Sequence, residues 1–326
     1  MISRSEASSE LDPLHPELKR IIDNLSITII GKRRIMEYMV TAVLAGGHVL
    51  LDDVPGVGKT TIAKALANSM SLRYRRIQCT PDLLPSDITG VTIFHPGTQQ
   101  FEFQAGPIFA HLVLADEINR TSPRTQSALL EVMEESQVTV DGVTHPMEPP
   151  FLVVATRNPI DFEGTFPLPE SQLDRFLFRL NIGYPTLDEE SAILAQSDTR
   201  PPLEALLPVM DRNRLLELMG EVRKIHVTDS VRRYIAELAV ATRQSPRIYL
   251  GLSPRGTLAM YRASQAWALL HSRNYVIPDD VIALAPQVVE HRLILSRTTT
   301  ASSPDLAHEI FTEIVRGIPV PAADPS

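Results

Sequence analysis

The chain has 326 residues, of which 44% are hydrophobic and 21% charged, and its formal net charge is −8. This length is enough for two domains, and no apolar run approaches the eighteen or so residues that span a bilayer, so we expect no membrane insertion. The negative charge argues against a nucleic-acid partner, and the single cysteine excludes an internal disulfide and fits a reducing cytoplasm.

The first part of the chain predicts a strand, a loop and a helix in that order. Residues 1–18 are predicted to be disordered, and helical patterns follow over residues 16–30 and 34–44. The short apolar run HVLLD then leads into a glycine-rich loop, after which Ile62, Leu66 and Met70 recur at helical spacing. This order is the context that a phosphate-binding loop requires.

Further apolar runs predict a parallel sheet. They occupy residues 74–79, 111–116 and 151–156, and a fifth strand begins at Phe176. Short runs rich in branched residues are typical of strands that are buried on both faces. Ser122 as N-cap and Pro123 at the first helical position predict a helix that ends near residue 135. The alternation of strands and helices indicates an α/β sheet with covered faces.

Two hairpins interrupt this alternation. Residues 138–145 carry Asp141-Gly142 as a two-residue turn, and residues 91–103 alternate apolar positions around a Pro-Gly turn. The sheet requires neither hairpin, and additions of this kind are more often functional projections than accidents.

The strand patterns stop after Tyr184-Pro185, and residues 197–208 resemble a linker. From Arg212 onward the pattern is helical and predicts a smaller all-α domain. Its helices are expected over residues 215–222, 231–244, 254–270 and 278–291.

The loop sequence LDDVPGVGKTT predicts a phosphate cradle. Gly56 and Gly58 allow consecutive backbone N–H groups to converge on phosphate oxygens. Lys59 would then reach the β- and γ-phosphates, and the Thr60 hydroxyl would ligate Mg²⁺. Asp53 stands where the pattern G-x-x-x-x-G-K-[ST] begins with glycine. The alternative is a glycine-rich turn with a solvent-facing lysine.

Polar residues follow two of the predicted strands, at the edge of the sheet where ligands bind in open α/β folds. Asp116 would hold the Mg²⁺ shell, and Glu117 would polarise an attacking water. Asn158 would orient that water beside the γ-phosphate. The alternatives are two surface acids after a core strand and an asparagine chosen for a turn.

Two arginines have a possible role in phosphoryl transfer. Arg175 immediately precedes the strand FLFRL, and Arg255 opens a helix after Ser253 and Pro254. A guanidinium donated into such a site can contribute about 10³- to 10⁵-fold in rate. Arginines in these positions are usually solvated or paired, so the local sequence leaves open both a role in phosphoryl transfer and a purely structural role.

Taken together, these strings resemble AAA+ ATPases, and specifically the MoxR family. The resemblance runs from about residue 29 to residue 293 and is carried by GHVLLDDVPGVGKTTIAKALA, TPDLLPSDITG, LADEINRTSPRTQSALLEVMEE, ATRNPIDFEGTFPLPESQLDRFLFRL and SPRGTLAMYRASQAWALLHSRNYVIPDDV. It implies an α/β AAA+ P-loop fold, an αβα sandwich with a parallel sheet, plus a smaller all-α lid domain.

The resemblance also implies a role for each candidate residue. Asp116 and Glu117 would form the Walker B pair, Asn158 sensor 1, Arg175 the arginine finger and Arg255 sensor 2. The residues implied to hold ATP, in addition to Asp116, are Pro55, Gly56, Val57, Gly58, Lys59, Thr60 and Thr61. Mg²⁺ would be held by Thr60 and, through water, by Asp116.

Three points stay open within the resemblance. Arg179 is close enough to Arg175 to be the finger instead, and Arg255 could act on its own nucleotide or on a neighbour's. Arg157 precedes sensor 1 where an amide is more usual.

The implied domains follow the same alignment of motifs. A disordered segment (1–18) precedes the nucleotide-binding domain (19–186), which carries a helix-2 insert hairpin (about 88–106) and a second hairpin before sensor 1 (about 137–146). A linker (187–210), the helical lid (211–316) and a tail (317–326) complete the chain.

The implied function is ATP hydrolysis by a ring-shaped oligomer, commonly a hexamer, that remodels, matures or activates partner protein complexes in the cytoplasm. The implied partners are a protein with a von Willebrand factor A domain and an unidentified client complex. Three alternatives stay open: a nucleic-acid motor or loader, the motor subunit of a metal-chelatase complex, and a nucleotide-gated scaffold with little turnover.

Overall fold

The computed structural model describes residues 13–159, 165–195, 203, 206–296 and 306–321. Its helices are α1 (Pro16–Thr28), α2 (Arg33–Ala45), α3 (Lys59–Ser69), α4 (Pro85–Thr89), α5 (Pro123–Glu135), α6 (Glu170–Leu173), α7 (Leu187–Ala195), α8 (Arg212–Val222), α9 (Asp229–Gln244), α10 (Pro254–Leu270), α11 (Pro278–Val289) and α12 (Leu306–Gly317). Its strands are β1 (His48–Asp52), β2 (Tyr74–Gln78), β3 (Gly90–His95), β4 (Gln100–Ala105), β5 (Leu112–Asp116), β6 (Gln137–Val140), β7 (Val143–Pro146), β8 (Leu152–Arg157), β9 (Phe176–Leu180), β10 (Ile248–Leu250) and β11 (Ile294–Leu295).

A five-stranded sheet forms the centre of the larger domain, with the strand order β2-β5-β8-β1-β9. All its pairings are parallel, and every residue of β1 and β5 is buried. Successive residues of β1 serve opposite faces, because Leu51 packs in the cluster with α1, α2 and α3, whereas Leu50 packs in the cluster with α5. The predicted parallel sheet with covered faces is therefore confirmed, but the edge strand β2 exposes Arg75, Arg76 and Gln78 and is not buried as predicted.

Both predicted hairpins are present. Strands β3 and β4 pair antiparallel from Gly90–Ala105 to His95–Gln100, and β6 pairs with β7. Asp141 and Gly142 have φ values of 49° and 79°, as a two-residue turn of this type needs.

The base of the first hairpin is closed by two glycines. Gly90 has a φ of 95°, and a Cβ there would lie closer than 3.0 Å to the backbone of Gln104 and Gly106. A Cβ on Gly106 would meet the backbone of Ile88 and Gly90 at a similarly short distance. The two chain segments can approach this closely only because neither carries a side chain.

The second domain is a helical lid built from α8 to α12, as predicted. It packs on α2 of the larger domain, where the Trp267 and Tyr38 rings lie 5.5 Å apart and the Arg34 guanidinium lies 4.3 Å from the Trp267 ring centroid. The lid also contains the short antiparallel pair β10 and β11. The prediction that no strand follows residues 184–185 was therefore wrong.

Two predicted boundaries also differ. Helix α1 begins at Pro16 and buries Leu18, so the predicted disorder of residues 1–18 is wrong for residues 16–18. Helix α7 occupies Leu187–Ala195, in the first part of the predicted linker. Residues 1–12, most of 196–205 and 322–326 lie outside the described residues. Within the described ranges, no helix has the length and apolar character needed to cross a bilayer.

Candidate functional site

The glycine-rich loop joins the carboxyl end of β1 to the amino end of α3. Gly56 and Gly58 have φ values of 89° and 92°, a conformation that other residues rarely adopt. A Cβ at either position would meet nothing within 4 Å, so the backbone conformation, rather than crowding, requires glycine. Helix α3 begins at Lys59, and its free N–H groups therefore face the same open space.

Lys59 is buried, with a relative accessibility of 9%. Its Nζ donates to the backbone oxygens of Asp53 (2.5 Å) and Arg157 (3.4 Å). Burial lowers the pKa of Lys59, and the nearby carboxylates of Asp53 and Asp116 oppose this shift. The alternative of a solvent-facing lysine is thus wrong.

The carboxylate of Asp116 lies at the end of β5 and is held from both sides. Its Oδ1 accepts from the Thr156 hydroxyl (2.6 Å), and its Oδ2 accepts from Arg76 Nη2 (2.6 Å). The Thr156 hydroxyl also accepts from the Glu117 N–H (2.8 Å). One threonine on β8 therefore fixes the positions of both acidic residues.

Glu117 leaves the strand in a left-handed conformation, with a φ of 58°. Its Oε2 lies 3.0 Å from Arg120 Nη1 and 3.5 Å from Gln78 Nε2. A non-glycine residue in this conformation is uncommon, and such residues cluster at functional sites.

Asn158 directly follows β8 and is buried. Because β8 lies between β5 and β1, it reaches the same edge of the sheet as Asp116 and the loop. Its backbone oxygen accepts from the Asn119 amide (3.2 Å), which fixes the chain at this point.

Asp53 points away from the loop that it precedes. Its Oδ2 accepts from the backbone N–H groups of Ile182 (2.6 Å) and Gly183 (2.7 Å), and its Oδ1 accepts from that of Val54 (2.9 Å). The acid that replaces the first glycine of the pattern therefore joins the loop to the end of β9.

The neighbouring acid, Asp52, holds two arginines. Its carboxylate accepts from Arg157 Nε (2.8 Å) and Arg179 Nε (2.7 Å). Burial raises the pKa of Asp52, but the hydrogen bonds and charges of the two arginines outweigh this effect, and the pKa lies below its ordinary value. Arg157 is thus held in an ion pair within the chain.

Arg175 and Arg255 lie at the opposite edge of the sheet. Arg175 directly precedes β9, whose first residue, Phe176, pairs with His48 at the start of β1. Arg175 Nε lies 2.8 Å from Glu134 Oε2, and Arg255 forms an ion pair with Glu134 Oε1. Since a strand of five residues spans roughly 15 Å, neither arginine can reach the loop of its own chain without a large movement.

The structure thus brings together two groups of predicted residues rather than one. Lys59, Asp116, Glu117 and Asn158 lie at the carboxyl edge, and the arginines lie at the amino edge. Pro55, Val57, Thr60 and Thr61 are exposed or half-buried beside the first group. The open glycine loop, the Thr60 hydroxyl and the Asp116 carboxylate fit a nucleotide phosphate with its Mg²⁺.

Sequence reasoning missed three residues of these groups. Arg76 and Gln78 stand two apart on β2, so they share the face that reaches Asp116 and Glu117. That spacing was visible in the sequence, but the pairing of β2 with β5 was not. Glu134 carried no local signal, because its contacts come from two distant segments.

A parallel sheet with a phosphate loop after β1, acids after β5 and a helical lid defines an AAA+ P-loop ATPase. Residues 48–178 match the model of the ATPase family associated with various cellular activities (AAA), and residues 240–314 match the AAA lid domain.

Similar proteins identify the family within the class of AAA+ ATPases. The chain is 50% identical over 310 residues to the uncharacterized protein YeaC of Bacillus subtilis, covering 95% of this chain and 97% of YeaC. It is 41% identical over 307 residues to chaperone MoxR1 of Mycobacterium tuberculosis, covering 91% and 79%. The crystal structure of a candidate ATPase from Cytophaga hutchinsonii superposes with a TM-score of 0.87 at 34% identity, covering 94% and 95%. The chain belongs to the MoxR family of AAA+ ATPases.

Proposed function

We propose that this protein hydrolyses ATP to ADP and phosphate in a Mg²⁺-dependent reaction, within a ring-shaped oligomer in which each site is completed by a neighbouring subunit. One observation carries this proposal: the loop and acids lie at one edge of the sheet, and Arg175 and Arg255 lie at the other. A closed ring of head-to-tail subunits apposes two different faces of the same chain. It is the arrangement that joins the two groups into one site.

The loop binds the phosphates through its backbone. Residues 55–61 present consecutive N–H groups at the positive end of α3, and Lys59 is the cation at its centre. Its ammonium group would exchange the backbone oxygens of Asp53 and Arg157 for phosphate oxygens. When bound, Mg²⁺ neutralises charge on the β- and γ-phosphates, and Thr60 together with Asp116, through water, would hold it.

Glu117 is the residue placed to accept a proton from, or to orient, the attacking water. The left-handed backbone turns its carboxylate out of the strand, at the same edge of the sheet as Lys59. Asn158, at the end of the adjacent strand, offers an amide for the same water. Glu117 would have to leave Arg120 for this role.

Arg175 is the better candidate for the finger, because it lies at the amino edge of the sheet, whereas Arg179 pairs with Asp52 at the carboxyl end of β1, beside the loop of its own chain. The location of Arg255 beside Arg175 supports action on a neighbour's nucleotide rather than on its own. Two guanidinium groups at the developing charge of the γ-phosphoryl group stabilise the transition state electrostatically.

Mixing two inactive variants tests this division between subunits. Arg175→Ala subunits keep the hydrolytic residues, and Glu117→Gln subunits keep the arginines. A mixture in equal amounts should regain about a quarter of wild-type turnover per subunit, because half of the subunits can hydrolyse and half of those have an intact neighbour. A mixture as inactive as its parts would overturn the proposal.

We further propose that the ring acts on protein partners, namely a client complex and a protein with a von Willebrand factor A domain, in the cytoplasm. A relative named as a chaperone and the exposed apolar side chains of the two hairpins support this. Phe101 and Val143 are 74% and 57% exposed. Capture with ATP-bound Glu117→Gln protein, followed by mass spectrometry, tests it against capture with the Lys59→Ala variant. Equal recovery of all proteins in both would contradict it.

A further inference from the structure

Glu134 places one carboxylate between two guanidinium groups. Its Oε2 lies 2.8 Å from Arg175 Nε, and its Oε1 contacts Arg255 Nη2. Glu134 stands at the end of α5, where the helix dipole also favours cations. The exposed fractions of the Arg175 and Arg255 side chains are 27% and 48%, so both arginines are partly open to solvent.

The backbones that carry the two arginines are already fixed without Glu134. Asp174, beside Arg175, accepts from the Ser253 hydroxyl (3.0 Å) and from Arg292 Nε (2.8 Å). Ser253 is the N-cap of the helix that begins next to Arg255. The Arg292 side chain is buried and also donates to the Phe176 backbone oxygen (2.5 Å). The lid and the sheet are therefore joined at this point.

These contacts fix the backbone but do not determine the direction of the Arg175 and Arg255 side chains. Two guanidinium groups repel each other when they lie close together, and a partly exposed arginine side chain has several rotamers open to it. A single carboxylate that contacts both lowers this repulsion and restricts both side chains at once.

We propose that Glu134 is a positioning residue that holds Arg175 and Arg255 side by side, as a preformed pair for the phosphate of a neighbouring subunit's nucleotide. The inference rests on the proposed function, in which both arginines act between subunits. Glu134 and the two arginines together retain a net positive charge, so they can still attract the anionic phosphate. The carboxylate meanwhile sets the positions of the two guanidinium groups.

The test is the Glu134→Gln variant, with Glu131→Gln as its matched control. Glu131 is an exposed acid one turn earlier on α5 and contacts neither arginine. We expect Glu134→Gln to lower turnover on the order of 10- to 100-fold, since a misplacement of about 1 Å can cost about 10²-fold. ATP affinity and the melting temperature should stay at wild-type values, and Glu131→Gln should turn over normally.

Complementation separates a positioning role from damage to the fold. Glu134→Gln subunits keep their own hydrolytic residues, so mixing them with Glu117→Gln subunits should restore turnover, to about a quarter of wild type per subunit. Wild-type or higher turnover by Glu134→Gln alone, or no recovery on mixing, overturns the inference. Failure of the Arg175→Ala mixture to recover would instead overturn the proposed function itself.

Discussion

The carboxylate of Asp53 serves the backbone rather than the phosphates. It is buried and accepts three backbone N–H groups, two of them beyond β9. Removing such an acceptor leaves buried donors without a partner, which costs about 1–3 kcal/mol of stability.

Asp53→Ala should therefore lower the free energy of unfolding by about 1–3 kcal/mol and leave ATP affinity within about twofold of wild type. Urea unfolding and a nucleotide titration measure the two quantities. A tenfold loss of affinity in a folded variant would show that the acid also acts on the nucleotide.

Glu117→Gln should bind ATP with wild-type affinity and hydrolyse it on the order of 10²- to 10⁴-fold more slowly, because the amide cannot accept the proton of the attacking water. Steady-state phosphate release and nucleotide titration test the two parts. Asp141→Asn, in the hairpin turn far from the loop, serves as a control for loss of one acid. Near-normal turnover would rule out the proposed role.

The residues that the sequence predicts and those that it misses differ in one physical respect. Lys59 ends the glycine-rich loop after β1, Asp116 ends β5 and Glu117 follows it, so their place at the sheet edge is set by local pattern. Arg76 and Glu134 acquire their contacts only when distant elements pack, and no local pattern carries that information. Asp53 lies between these cases, since its position was visible but its partners were not.

Aromatic contacts join the two hairpins. The Phe103 ring of β4 stacks on the His145 ring of β7, with centroids 4.0 Å apart and an interplanar angle of 17°. Each hairpin alone would be a marginal two-stranded ribbon, so this contact gives them a common orientation.

A double-mutant cycle with Phe103→Ala and His145→Ala should yield a coupling free energy of about 0.5–1.5 kcal/mol in urea unfolding. Phe94, which packs on Phe101 instead, gives the matched control, and Phe94→Ala should be additive with His145→Ala. Additivity of the first pair would show that the two hairpins are energetically independent.

The long helices of the lid were predicted well, whereas its two shortest strands and helix α7 were missed, for reasons of energetics. Helices such as α9 and α10 have an apolar stripe that their own sequence displays. Strands β10 and β11 are three and two residues long and are stabilised by each other across the lid, so their sequence shows no alternation. Helix α7 buries none of its residues and therefore resembled a linker.

At the scale of the whole molecule, the proposed function makes hydrolysis depend on assembly, because the two groups of residues lie at opposite edges of the sheet. A subunit without a neighbour would keep its loop and acids but lack the arginines at its nucleotide. Its affinity for ATP would survive dissociation, and its turnover would not.

Turnover per subunit should therefore rise with protein concentration until assembly is complete, whereas ATP affinity should change little. Light scattering at each concentration gives the assembled fraction, and phosphate release gives the turnover. The Arg175→Ala variant, measured alongside, should stay slow at all concentrations. Constant turnover down to the monomer would contradict shared sites.

The closed base of the first hairpin also has a use in protein engineering. Because Gly90 and Gly106 bring the two segments together without side chains, the chain enters and leaves the hairpin at nearly one point. We expect that residues 91–105 can be shortened, or replaced by another ribbon of different length, because the buried residues Ile88 and Ile108 on either side hold its ends in place. A replacement segment should therefore begin after Gly90 and end before Gly106.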